Sequence, residues 1–123
     1  MKEVIALLRP KKISATKEAL AALGIPSITA EAVLGRGKQR GIASEVSFPI
    51  GTELLVKSRS GGMKFVPKRC LTIVVDDKIV DEVVKSVVEI NQTAQVGDGK
   101  IFVCPVDDAV RVRTDEKGKA AVL

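Results

Sequence analysis

Two apolar runs constrain this chain more than any other feature. Val4, Ile5, Ala6, Leu7 and Leu8 stand together near the start, and residues 71–75, Leu-Thr-Ile-Val-Val, repeat the character later. A strand with apolar residues at both parities is buried on both faces, not packed on one and wetted on the other. Each run is followed by a segment with helical character, so a duplicated strand-helix-strand order is the simplest reading.

In the first half, residues 2–9 read as a strand. Residues 14–23 read as a helix, with Ser14 as N-cap and Gly24 placed to end it in a left-handed turn. Residues 27–35 then alternate Ile28, Ala30, Ala32 and Leu34 against Thr29, Glu31 and Val33, a second strand. In the second half, 65–75 is a strand and Asp76 or Asp77 caps a helix over 78–90. That helix carries Ile79, Val80, Val83, Val84, Val87 and Val88 on one side. Valines are poor helix formers, so packing has to hold it. Residues 100–106 give the next strand and 109–113 a short alternating one.

The order βαβ-loop-βαβ(β) predicts a ferredoxin-like α+β sandwich, one domain over residues 1–123. One helical layer covers one sheet face only. The apolar residues on the other face predict a closed homo-oligomer.

The net charge of +5 is local. Residues 36–69 hold Arg36, Lys38, Arg40, Lys57, Arg59, Lys64, Lys68 and Arg69 against Glu45 and Glu53 alone. Such focusing predicts an anion site or an acidic partner, with a solvated basic loop as the other reading. Histidine is absent, which removes Ser-His-Asp and Cys-His nucleophiles and His-bearing metal sites. Tyrosine and tryptophan are absent too, so base-stacking platforms for nucleic acid are lacking. Cys70 and Cys104 form no C-x-x-C and read as inert thiols. No apolar run reaches the ~20 residues that a membrane span requires, and no secretory leader is evident. A cytoplasmic protein is expected.

Three segments fit phosphate chemistry. "GRGKQRG" (35–41) combines close-approach glycines with Lys38 and Arg40, although no G-K-[ST] follows to make it a P-loop. It opens a connection over 36–64, far longer than the ~12–15 residues above which loops are uncommon unless functional or disordered. "QVGDGKIFV" (95–103) offers a nest of amides at Gly97, Asp98 and Gly99 with Lys100 beside it, or else a plain Asp-Gly turn. In "RVRTDEKG", alternation puts Arg111 and Arg113 on one face of a strand, suited to phosphate or to neutralising Asp107, Asp108 and Glu116.

Together "GRGKQRG", "VPKRCLTIVV", "NQTAQVGDGKIFVCPVDDAVRVRT" and "EKGKAA" resemble the PII signal-transduction proteins nearly from end to end. The resemblance implies a trimer of ferredoxin-like subunits, a non-enzymatic sensor with ATP or ADP between neighbours and 2-oxoglutarate joining when Mg-ATP is bound. It implies nucleotide contacts at Thr29, Gly35, Gly37, Gly97, Asp98, Gly99 and Lys100, with Arg111 and Arg113 supplied by the adjacent subunit. It implies 2-oxoglutarate near Gln39, Lys68, Lys38, Arg40 and Gly41, with Gln39 also meeting Mg2+. Residues 36–64 become the signalling loop. With no tyrosine in the chain, the uridylylation used by some bacterial PII proteins is chemically closed.

The chain departs from the family pattern at Ala94 and Asp115, where glycine is usual, and in the length of its loop. The loop, "GRGKQ" and "NQTAQ" most resemble the nitrogenase-associated branch, in its second, longer-looped type. A nitrogenase component is then the expected target, with a homotrimer or a mixed oligomer with a paralogue. An ammonium transporter or metabolic enzyme is the alternative target. A small nucleotide-hydrolysing enzyme, with Asp98 orienting water, is the alternative from another class; nucleic acid and membrane insertion are not expected.

Overall fold

The computed structural model describes residues 1–25, 27–37 and 65–122. Strand β1 (Lys2–Leu8) leads through a 3-10 turn at Pro10–Lys12 into helix α1 (Ile13–Ala22), then strand β2 (Thr29–Gly35). Strand β3 (Val66–Val75), a 3-10 turn at Asp77–Ile79, helix α2 (Val80–Asn91) and strand β4 (Lys100–Pro105) follow, and a single helical turn, α3 (Lys119–Val122), comes near the end. The sheet order is β2-β3-β1-β4 with every neighbouring pair antiparallel. That is the ferredoxin-like arrangement expected from the duplicated order. Lys2 lies opposite Val75 and Pro105 at one end, and Leu8 opposite Arg69 and Leu7 opposite Lys100 at the other.

Strand alternation sorts the apolar runs as their composition demands. Val4, Ala6 and Leu8 of β1 and Leu71, Ile73 and Val75 of β3 are buried beneath the helices with Leu20, Val83 and Val87. Each buried valine, leucine or isoleucine contributes roughly 1.5–3 kcal/mol, which holds the valine-rich α2 in place. The opposite parity, Ile5 beside Thr72 and Phe102, forms the second sheet face. Phe102 is 48% exposed there.

Pro10 starts the first helix earlier than Ser14 suggests. Its fixed φ opens a helical turn directly after Arg9, so α1 begins at Ile13 and Ser14 falls inside it, not at its cap. Gly24 ends α1 at φ +83, with the Ile25 amide donating back to the Leu20 carbonyl at 3.1 Å. Asp76 caps the start of the second helical stretch by accepting from the Lys78 amide.

Residues 109–113 do not form the expected strand. The Arg111 amide donates to the Glu116 carbonyl and the Asp115 amide to the Arg111 carbonyl, both at 2.8 Å, so the chain doubles back on itself. A lone bridge, Val110 to Lys117, remains. Backbone groups committed to this turn cannot also pair with a sheet, and Arg111 and Arg113 therefore do not share a strand face.

Candidate functional site

The loop between α2 and β4 is built around one carboxylate. Asp98 Oδ2 accepts from the backbone amides of Thr93 at 2.7 Å and Ala94 at 2.9 Å, while Oδ1 accepts from the Thr93 hydroxyl and from Arg9. Burial alone would raise the Asp98 pKa. The bonds from the Thr93 hydroxyl and amide, and then Arg9, outweigh that and hold the carboxyl well below the usual carboxylate range.

Two cations clamp the loop from the sheet side. Arg9, buried just past the end of β1, also donates to the Val96 carbonyl at 3.0 Å, and Lys68 of β3 donates from Nζ to the Gly97 carbonyl at 2.6 Å. The glycines between are sterically required. Gly97 has φ +101 and Gly99 φ +113, and a Cβ on Gly99 would sit 1.9 Å from the Leu7 carbonyl oxygen. The loop thus lies directly on the β1 backbone, which no larger residue permits.

Register collects distant segments at this end of the sheet. Gly35 lies opposite Val66, Lys68 opposite Val33, and Lys100 opposite Leu7. By alternation Gly35, Lys68 and Lys100 all belong to the face turned away from the helices. Arg36, exposed, follows Gly35, and Gly37 is the last described residue before 38. Lys68 and Lys100 stand on this face at one end of the sheet, with Arg9 paired to Asp98 beside them, an anion-attracting field. No group of three His, Cys, Asp or Glu residues able to hold a metal forms among the described residues.

Other expected residues are not brought there within one chain. Thr29 shares the face but sits six positions up β2 from Gly35, roughly 20 Å at ~3.3 Å per residue. Arg111 and Arg113 lie beyond the opposite end of β4. Arg111 donates to Glu116 at 3.0 Å and to the Ala120 carbonyl at 3.0 Å, and the neighbouring Lys119 pairs with Asp76 at 3.4 Å, past the end of β3. The pairing of Arg111 with Glu116 is the neutralising arrangement that the sequence also allowed. Lys38, Gln39, Arg40 and Gly41 lie outside the described residues.

A model of the family "Nitrogen regulatory protein P-II" matches residues 1–116. The chain belongs to the P-II nitrogen regulatory family. Among its relatives, "Nitrogen fixation nifHD1 region GlnB-like protein 2" of Methanosarcina barkeri is 55% identical over 99% of both chains. "Nitrogen fixation nifHD region GlnB-like protein 2" of Methanobacterium ivanovii is 53% identical over 100% of both. "Nitrogen regulatory protein P-II" of Azospirillum brasilense is 36% identical over 99% of this chain and 100% of its own. These relatives carry the names of regulatory proteins, not enzymes. No helix among the described residues is long and apolar enough to cross a membrane.

The two positions at which the resemblance led to an expectation of glycine share a backbone feature. Ala94 has φ +63 and Asp115 φ +60, both in the left-handed region. At both positions a side chain sits on a backbone shape that favours glycine. Two residues escaped the sequence reading. Arg9 gives no periodic signal, its one hint being a lone cation between a buried strand and a proline, and Asn91 ends the apolar stripe of α2 as a buried amide.

Proposed function

We propose that this P-II protein senses ATP, ADP and 2-oxoglutarate and regulates nitrogenase through residues 36–64, as a homotrimer or mixed oligomer in the cytoplasm. The observation that carries this reading is the separation of the two cationic groups. Gly97, Gly99 and Lys100 stand at one end of the sheet and Arg111 and Arg113 at the other, so a single phosphate group can meet both only between two copies. The half-exposed apolar face around Ile5 and Phe102 supplies surface for such an assembly.

In this scheme Gly97, Gly99 and Lys100 take the phosphates and Asp98 holds the loop in shape. Thr29, Gly35 and Gly37 border the nucleotide, and Arg111 and Arg113 arrive from the neighbour. Lys68 and Gln39, with Lys38, Arg40 and Gly41, receive 2-oxoglutarate, and Mg2+ is shared by Gln39 and ligand oxygens. A lysine ammonium has three donors. Lys68 can keep one on Gly97 while another meets a carboxylate, which links the two ligands physically. The chain acts as a regulator and not a hydrolase, because both Asp98 oxygens are already engaged in holding the loop.

A mixing experiment tests the reading. Lys100→Ala and Arg113→Ala each lose a charge-assisted contact worth roughly 1.5–3 kcal/mol, which predicts about tenfold or greater weakening of ADP by calorimetry. Co-assembled variants recover sites of full affinity, since some interfaces then hold both native groups. Absence of recovery refutes the shared site. Added to purified nitrogenase, the native protein should inhibit in a 2-oxoglutarate-dependent manner. A chain with 42–60 replaced by a Gly-Ser link should bind ADP and not inhibit; continued inhibition refutes the loop as output.

A further inference from the structure

Helix α2 ends on a side chain that reaches across to α1. Asn91, its last residue, is 4% exposed, and its Nδ2 donates to the Thr16 hydroxyl oxygen at 3.0 Å and to the Val87 carbonyl at 2.8 Å. Thr16 is fully buried and gives its own proton to the Lys12 carbonyl at 2.8 Å, one turn earlier, which leaves its oxygen to accept from Asn91. Stability alone does not account for the pair. Asn91 Oδ1 is buried with no hydrogen-bond partner among the described residues, and flipping the amide would set that oxygen against the Val87 carbonyl. A buried acceptor left unpaired is costly, and two apolar side chains would avoid the cost.

The pair closes a circuit around the 93–99 loop. On the α1 side the Lys12 amide donates to the Arg9 carbonyl at 3.0 Å, and the Arg9 side chain donates to Asp98 and to the Val96 carbonyl. On the α2 side the Gln92 amide donates to the Val88 carbonyl at 2.8 Å, the backbone turns extended at Gln92 (φ −73, ψ 121), and Thr93 delivers its amide and hydroxyl to Asp98. The two arms meet at Thr16 and Asn91. The far end of the loop rests on β1, where a Cβ on Gly99 would stand 1.9 Å from the Leu7 carbonyl oxygen, so little room is left to absorb a shift of α2.

We infer that the hydrogen bond between Thr16 and Asn91 is a positioning device for the phosphate-binding loop, fixing the end of α2 against the start of α1 and with it the stance of Gly97, Gly99 and Lys100. This rests on the nucleotide reading above and adds two positioning residues, neither of which touches the ligand. Without the bond, the last turn of α2 can move relative to Arg9, and the Thr93 and Ala94 amides move with it away from Asp98. A phosphate then meets a loop that has to be ordered first, which lowers affinity by the fraction of molecules already in the competent arrangement.

Thr16→Val keeps the shape of the side chain and removes its hydroxyl, and Asn91→Ala removes the other partner. In the full-length protein each should weaken ADP about three- to thirtyfold by calorimetry, the range in which residues remote from a ligand modulate its binding. The double variant should be no weaker than either single one, because all three lack the same bond. It should also keep its urea midpoint, since the unpaired Oδ1 has gone. Thr16→Ser retains the hydroxyl and should bind ADP as the native protein does. Without nucleotide, the Thr93 and Ala94 amides should exchange hydrogen about tenfold faster in Thr16→Val and Asn91→Ala, with the Val83 and Val87 amides unchanged. Native ADP affinity in both single variants overturns the positioning role and leaves the nucleotide site standing. A loss that Thr16→Ser shares, or faster exchange at Val83 and Val87 in step with Thr93, also overturns it, because general loosening then explains the effect. If the native protein takes no ADP, the nucleotide reading falls, and exchange at Thr93 and Ala94 alone decides whether Thr16 and Asn91 position the loop.

Discussion

Asp98→Ala should unfold this protein more readily than its position in a surface loop suggests. The substitution removes four hydrogen bonds, from Arg9, the Thr93 amide and hydroxyl, and the Ala94 amide. It also strips the counter-ion from Arg9, whose side chain is 7% exposed against 22% for Asp98. Removing one partner of a buried pair costs roughly 3–5 kcal/mol because the other charge stays behind unpaired. Here Arg9 keeps the Val96 carbonyl and one edge of the carboxylate is open to water, so about 3 kcal/mol is expected. Urea unfolding at fixed chain concentration reads the loss as a lower midpoint with unchanged slope. Arg9→Met and the double variant complete a cycle, and their coupling with Asp98 should exceed about 1 kcal/mol. The acid limb supplies an independent check. A carboxylate with a depressed folded pKa stabilises fully above its unfolded value of about 3.9 and loses that contribution as pH falls below it toward the folded value. Asp98→Ala should therefore flatten the decline of stability below about pH 4. A cost under about 1 kcal/mol, or zero coupling with Arg9, refutes Asp98 as the centre of the loop.

Four further outcomes follow from the backbone. Gly99→Ala should cost about 3 kcal/mol or more, from a left-handed penalty of ~1–3 kcal/mol plus displacement of Leu7. Gly118→Ala, with φ +68 and nothing within 4 Å, should cost only about 1–2 kcal/mol, and equal losses in urea unfolding would remove the close approach from the explanation. Ala94→Gly should stabilise by about 0.5 kcal/mol, the relief of φ +63 exceeding the added unfolded-state entropy. Asp115→Gly should be near neutral because aspartate tolerates this region better than alanine, and thermal unfolding midpoints compare the two.

The element order was readable because hydrophobic periodicity is local. Val4–Leu8, the stripe through Val80, Val83 and Val87, and Gly24 after α1 each announce themselves within one window of residues. So do Gly97 and Gly99, whose freedom to take positive φ is a property of the residue alone. Periodicity misled where local bonding competed: Arg111-Val112-Arg113 alternates like a strand, yet Asp115 and Glu116 turn the chain back upon it. Ser14 looked like a cap, but Pro10 had already begun the helical turn. By itself the sequence determined the four sheet strands, the two long helices, the glycine-bearing loops and the family, since these rest on residue type and short-range spacing. Only the tertiary structure decided that Arg9 and Lys68 clamp the 93–99 loop, that Asp98 is spent inside it, and that Arg111 and Lys100 lie at opposite ends of one sheet. Those relations depend on antiparallel register between segments tens of residues apart, and register is chosen by burying Val4, Leu71, Ile73 and Val83 together, a condition no single segment contains.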